Sequence, residues 1–246
     1  WEGAQVCFKF ARDFYLASDN PQAAAEVAAL AARTFASDDR SEADAWYRDA
    51  LGDADDARAT VLGAELAVEH AELVERTGAP DLARTIAEDA ARRCAFVNDL
   101  EVARPLVLRT RMELARLSED PAESLRHVDG AFEIALDLRD LSALGSAMEL
   151  VVTGLVKGRY TAPGWKLVDR FRKRLGTAGF TALEQSAAAA LDELYPLVAD
   201  ELEALEREQV QCSEPPEPPP LGDERDLPGE RAVTNEPDGD GANEEA

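Results

Sequence analysis

Histidine and cysteine are the side chains through which this chain would most readily bind a transition metal or supply a general base. There are two histidines, His70 and His127, and neither lies near one of the three cysteines. On a helix, His70 has leucine, alanine and valine as neighbours and no second ligand one turn away, which favours a place in or beside the core. His127 follows Glu123 by one turn, an ordinary pair on a helix surface. We therefore expect no metal site, no cofactor and no catalytic histidine.

A carboxylate motif gives a second possible chemistry. Asp38, Asp39 and Glu42 form the Asp-Asp-x-x-Glu pattern with which some all-α terpenoid enzymes hold magnesium and diphosphate. Such enzymes need a second motif, and it fails here because Val102 and Leu106 stand where a hydroxyl and an acid are required. Aspartates in a turn before a helix are also typical N-caps. We expect capping here and predict that the protein is not an enzyme.

The most unusual charge feature is a cationic island at 157–174. It contains seven basic residues and one acid, a net charge of +6, in an otherwise acidic chain. A helix over 165–176 would turn apolar side chains to one face and basic ones to the other. Two interpretations are open: a docking patch for an acidic partner, a phosphorylated group or nucleic acid, or pairing with acids of the following helix or of the C-terminal tail. The candidate docking residues are Lys157, Arg159, Lys166, Arg170, Lys173 and Arg174, with Tyr160 and Trp165 as aromatic anchors.

The overall composition argues against several classes of function. The 246 residues include 26 Lys and Arg against 50 Asp and Glu, a net charge of −24, which repels phosphate and so disfavours general binding to nucleic acid or anionic membranes. Apolar residues make up 46% of the chain, enough for a core. No apolar run reaches the ~18 residues of a membrane span. Three cysteines are too few for a disulfide framework, so we expect a cytoplasmic location.

The elements that position these residues are predicted to be helices throughout 1–211. Helix-forming residues dominate, strand patterns are absent, and Pro, Gly and Asp mark the breaks. The fold class is predicted as all-α, either an irregular α-hairpin array or a helical bundle, with a disordered, acidic, proline-rich tail at 212–246. The predicted helices are 3–17, 21–36, 41–51, 55–77, 80–97, 99–117, 121–139, 141–157, 165–176 and 181–209.

Small residues recur at a spacing known from helical repeats. A turn residue is followed by small residues five and twelve positions later in four places: Asp19/Ala24/Ala31, Gly52/Ala57/Ala64, Gly78/Ala83/Ala90 and Glu119/Ser124/Ala131. The mean step between these places is close to the period of the tetratricopeptide repeat, ~34 residues, and the chain resembles that family over roughly 5–140. The resemblance implies a superhelix whose concave face holds peptides or partner proteins.

Together these features predict a non-catalytic scaffold that binds protein or peptide partners, basic or neutral on most of its surface. The alternative is a regulatory or sensor module at the C-terminal end of a larger kinase, ATPase or transcription regulator. Because the sequence starts at Trp1 inside a helical pattern, we expect it to be part of a longer polypeptide. An apolar stripe at 191–205 predicts either a helix that closes the array or a homodimer contact.

Overall fold

The computed structural model describes residues 2–213, except the side chains of 206 and 208–213. The chain divides into two compact units, Trp1–Ala204 and Leu205–Ala246, and the helix contacts described lie within the first. The predicted tail, 212–246, lies outside the described residues apart from its first two, which end the last helix. The helices are α1 (Glu2–Ala17), α2 (Pro21–Phe35), α3 (Arg40–Asp56), α4 (Thr60–Arg76), α5 (Pro80–Cys94), α6 (Leu100–Leu117), α7 (Pro121–Leu138), α8 (Leu141–Val156), α9 (Ala162–Ala178) and α10 (Thr181–Ser213).

The ten helices and the all-α class confirm the prediction for the part of the chain that is described, where no strand occurs. Side chains cap the helices as the sequence indicates. Asp39 accepts a hydrogen bond from the backbone N–H of Glu42 at 3.0 Å, so at least this aspartate of the Asp-Asp-x-x-Glu pattern serves as an N-cap. Asn20, Asp99, Asp120 and Asp140 cap α2, α6, α7 and α8 in the same way. None of the described helices is both long and apolar enough to cross a membrane.

One predicted break is wrong. Gly52 was expected to end the third helix and the following aspartates to cap the fourth, but α3 continues through Gly52 to Asp56, and α4 begins at Thr60. Asp53 is buried there and accepts a hydrogen bond from Arg12 of α1 at 2.6 Å. The chain instead breaks at Arg58, whose φ of 54° is left-handed. Asp53 therefore binds an arginine of another helix and does not act as the N-cap of α4.

The helices recur in pairs along the chain, with a period of about 40 residues. The even-numbered helices begin at Pro21, Thr60, Leu100, Leu141 and Thr181, and the odd-numbered ones at Glu2, Arg40, Pro80, Pro121 and Ala162. Each helix from α1 to α8 packs against the next, and the contacts α4–α6 and α7–α9 join helices two places apart. This is an irregular α-hairpin array. The small residues at 24, 57, 83 and 124 lie at unlike places in it, so their mean spacing is not the period of the helices.

Alanine and ion pairs hold neighbouring repeats together. Six of the 15 residues of α2 are buried alanines, which allow close helix packing. Between repeats, arginines pair with acids of the equivalent helix in the preceding or the following helix pair. These pairs join Arg12 to Asp49 and Asp53, Arg33 to Glu69, Arg84 to Glu123, Arg93 to Asp55, Arg109 to Glu72, and Arg174 to Glu133. Arginine suits this place because its planar group forms two parallel bonds to a carboxylate.

The last helix runs antiparallel to α9. The indole N–H of Trp165 donates to the carbonyl of Leu191 at 3.3 Å, and the backbone N–H of Ala162 donates to Glu201 Oε2 at 3.1 Å. The apolar stripe of α10 turns towards the array, since Leu191, Leu194, Val198 and Leu202 are only 4–6% exposed. Those four side chains are buried, as expected of a helix that closes the array, and a homodimer contact at 191–205 stays a prediction.

Candidate protein-docking groove

The cationic island lies at the end of α8, in the turn after it, and on α9. Four apolar side chains of α9, at 167, 168, 171 and 175, are buried, while Lys166, Arg170, Lys173 and Arg174 are exposed, as the periodicity predicts. Phe171 stacks on Phe132 of α7 with ring centroids 3.7 Å apart, which fixes α9 beside α7. The basic row of α9 therefore runs along the outer side of α7.

Most of the basic row is paired within the chain, but not with the acids of α10 that the sequence suggested. Arg170 pairs with Asp129 of α7. Arg174 donates to Glu133 of α7 at 2.6 Å, and Lys173 Nζ lies 2.6 Å from Asp169 of its own helix. The reason is the repeat: α7 and α9 are equivalent helices of successive pairs, so their outer rows meet side by side.

The residues around the start of α9 join the turn after α8 to α7. Tyr160 is 2% exposed, and its hydroxyl lies 2.6 Å from the Ser124 hydroxyl, which in turn donates to a backbone carbonyl of α6. Arg159 donates to the carbonyl of Ser118 and is half-buried. Trp165, also half-buried, packs edge-on against Tyr195 of α10. Tyr160 is thus not accessible as an anchor, whereas Lys157 is exposed.

A groove of about 470 Å³ lies between α7 and α9 and takes up two of the predicted residues, Lys166 and Arg170. We call it the α7/α9 groove. Arg126 and Lys166 are exposed and form no ion pair or hydrogen bond among the described residues, whereas Arg170 is already paired with Asp129. Two unneutralised cations therefore border a mainly apolar floor. The lining residues are Ala122, Leu125, Arg126, Asp129, Pro163, Lys166, Leu167 and Arg170.

Sequence reasoning missed Arg126. It stands outside the cationic island, in a helix that also carries acids, and nothing local marks it. The repeat of the helix pairs could have identified Arg126, because Arg126 and Lys166 occupy matching places on α7 and α9, one repeat apart.

A second cleft, of about 450 Å³, contains His70. His70 is 4% exposed, its Nε2 lies 2.6 Å from Asp44 Oδ1, and its ring stacks on Tyr47 with centroids 5.5 Å apart. Its Nδ1 is buried without a hydrogen-bond partner, so neither ring nitrogen is free to contact a substrate. The expected core or boundary position is confirmed. Among the side chains that the structure describes, no three of His, Cys, Asp or Glu are grouped so that they could hold a metal ion.

Comparison with known proteins identifies no family. No family model and no curated protein matches the chain. It is similar to a solved structure described as "DHF58 filament", with 21% identity over 85% of this chain and 94% of that chain. The TM-score is 0.21, too low for that likeness to bear on fold or function.

Proposed function

We propose that this protein is a non-catalytic scaffold of helical-repeat type, resembling tetratricopeptide-repeat proteins, and that the α7/α9 groove binds an acidic segment of a partner protein. The observation that supports this most is the pair of unneutralised cations, Arg126 and Lys166, over an apolar floor. In a chain with a net charge of −24, this local excess of positive charge would attract an acidic segment that the rest of the surface repels.

The chemistry of the groove suits a peptide that combines carboxylates with apolar side chains. Arg126 and Lys166 would form charge-assisted hydrogen bonds with carboxylates. Ala122, Leu125 and Pro163, which are at least partly exposed, would cover apolar side chains of the peptide, and this supplies the burial that a charged pair at the surface lacks. Nucleic acid is the weaker candidate because its long phosphate chain would meet the negative field of the remaining surface. That remaining surface suits the basic or neutral partners expected from the composition.

Binding rather than catalysis is also favoured by the second cleft. A general base needs a nitrogen or oxygen within reach of substrate. At His70 one ring nitrogen is engaged by Asp44 and the other is buried.

The proposal is tested by fluorescence anisotropy with two labelled dodecapeptides, one of Glu and Leu and one of Lys and Leu. The groove should bind the Glu peptide. The double variant Arg126→Glu with Lys166→Glu should weaken that binding about tenfold or more, because it removes two charged contacts and a tenfold change in Kd corresponds to only ~1.4 kcal/mol. Arg104→Glu with Lys157→Glu is the matched control, because it changes the net charge by the same amount and both residues are exposed outside the groove.

Two outcomes would refute the groove as the binding site. One is a double variant that binds the Glu peptide as tightly as the unaltered protein does. The other is an unaltered protein that does not bind the Glu peptide at all.

A further inference from the structure

The first helix has an apolar face that no described residue covers. No residue of α1 is buried, and Val6, Phe10 and Phe14 are 67%, 75% and 60% exposed. The opposite face makes the contacts with the array: Phe8 packs edge-on against Phe35 of α2 and Trp46 of α3. The other odd-numbered helices α3, α5 and α7 each pack against two even-numbered neighbours, whereas α1 packs only on α2 in this way.

The spacing of the uncovered face is that of a helix-packing seam. Gly3, Cys7, Phe10, Phe14 and Ala17 alternate steps of four and three positions, and all five are exposed. This is the heptad spacing with which one helix packs along another. The occupant that fits it is therefore a second α-helix.

The face is complementary to itself. When two copies of α1 lie antiparallel and cross at Phe10, each Val6 meets a Phe14, each Gly3 meets an Ala17, and the two Phe10 rings meet at the centre. The small residues at both ends allow the helices to approach closely. A surface that matches itself about a two-fold axis is the requirement for a symmetric homodimer.

Charge supports the same arrangement. Lys9 and Asp13 are both exposed and lie on the same flank of the apolar stripe. In the antiparallel pair, Lys9 of one copy lies on the side of Asp13 of the other, within about one helical turn, and the symmetry gives this contact twice. Such exposed pairs add little affinity and mainly select the register.

We infer that α1 is the contact surface of a weak symmetric homodimer in which the first helices of two copies pack antiparallel. The contact is smaller than the ~1,600 Å² of a standard interface, so micromolar or weaker association is expected. Two chains of net charge −24 also repel each other, so salt should strengthen the association.

Sedimentation velocity on the full chain tests this inference. The measurement covers about 5–200 μM protein at about 0.05 and about 0.5 M NaCl, because the Debye length differs about threefold between these two salt concentrations. The sedimentation coefficient should rise with concentration, more so at high salt, and Phe10→Glu should remain monomeric throughout. Because Phe10 is 75% exposed, its replacement should leave the helical circular-dichroism spectrum unchanged. Phe96→Glu is the matched control, since Phe96 is 71% exposed in the turn after α5 and should not affect association.

A charge exchange separates this pairing from other self-association. Lys9→Asp alone and Asp13→Lys alone should each weaken the dimer, and the two together should restore it. A monomer at every concentration and salt level would overturn the inference. A dimer that Phe10→Glu leaves intact would overturn it as well.

Discussion

Glu113, on α6, is a buried carboxylate whose environment disfavours its charge. It is 3% exposed, one oxygen accepts a hydrogen bond from Arg116, and the other oxygen, Oε2, is buried without a partner. Burial raises the pKa of Glu113, Arg116 opposes that rise, and the carboxylates of Glu75 and Glu72 add to it, so that the pKa is about 7. The folded protein therefore binds this proton more tightly than the unfolded chain does.

The consequence is a stability that depends on pH. The stabilising contribution of protonated Glu113 is fully present below the unfolded pKa of about 4.5 and is lost as the pH rises through about 7. Glu113→Gln should therefore raise the free energy of unfolding at pH 8, by about 2–3 kcal/mol, and change it little at pH 5. Urea unfolding at both pH values measures this, with the exposed Glu149→Gln as control. An equal effect of Glu113→Gln at the two pH values would contradict the assignment.

At the scale of the helices, local signals predicted most of what the structure has, and distant contacts account for the rest. Proline at the first turn and aspartate at the N-cap mark the helix starts, as at Pro121. The end of α3 was missed because Asp53 is held by Arg12, and Arg126 was missed because only the packing of equivalent helices brings it beside Lys166. Tyr160 was predicted to be an exposed anchor because its burial against α8 leaves no local pattern.

Two glycines of α8 give a matched test of that packing. A Cβ on Gly154 would overlap the Tyr160 ring, whereas a Cβ on Gly145 would meet nothing within 4 Å. Gly154→Ala should thus displace Tyr160 from Ser124 and destabilise the protein by about 1–3 kcal/mol. Gly145→Ala should stabilise it by about 0.5–1 kcal/mol through helix propensity alone. Urea unfolding of the two variants compares them directly, and equal stabilities would show that the turn after α8 does not depend on this contact.

At the scale of the whole molecule, the all-α class follows from composition and periodicity, whereas the period of the helix pairs does not show in any single motif. The ion pairs between repeats recur with that period, from Arg12 and Asp53 at one end to Arg174 and Glu133 at the other. They neutralise only part of the acidity, because 50 acids face 26 basic residues.

Salt should therefore stabilise the fold. Screening weakens the ion pairs, but it weakens the repulsion among the excess acids more, since the net charge is −24. The melting temperature should rise between about 0.05 and 1 M NaCl, as the Debye length shortens. A melting temperature that is unchanged or lower at high salt would mean that the ion pairs dominate instead.

Hydrogen exchange with and without the Glu and Leu peptide is the most direct test of the proposed function, because it locates the bound peptide as well as detecting it. The account predicts slower amide exchange in α7 (Pro121–Leu138) and α9 (Ala162–Ala178), and no slowing there in the Arg126→Glu, Lys166→Glu variant. Protection confined to other helices, or no protection at a saturating peptide concentration, would contradict it.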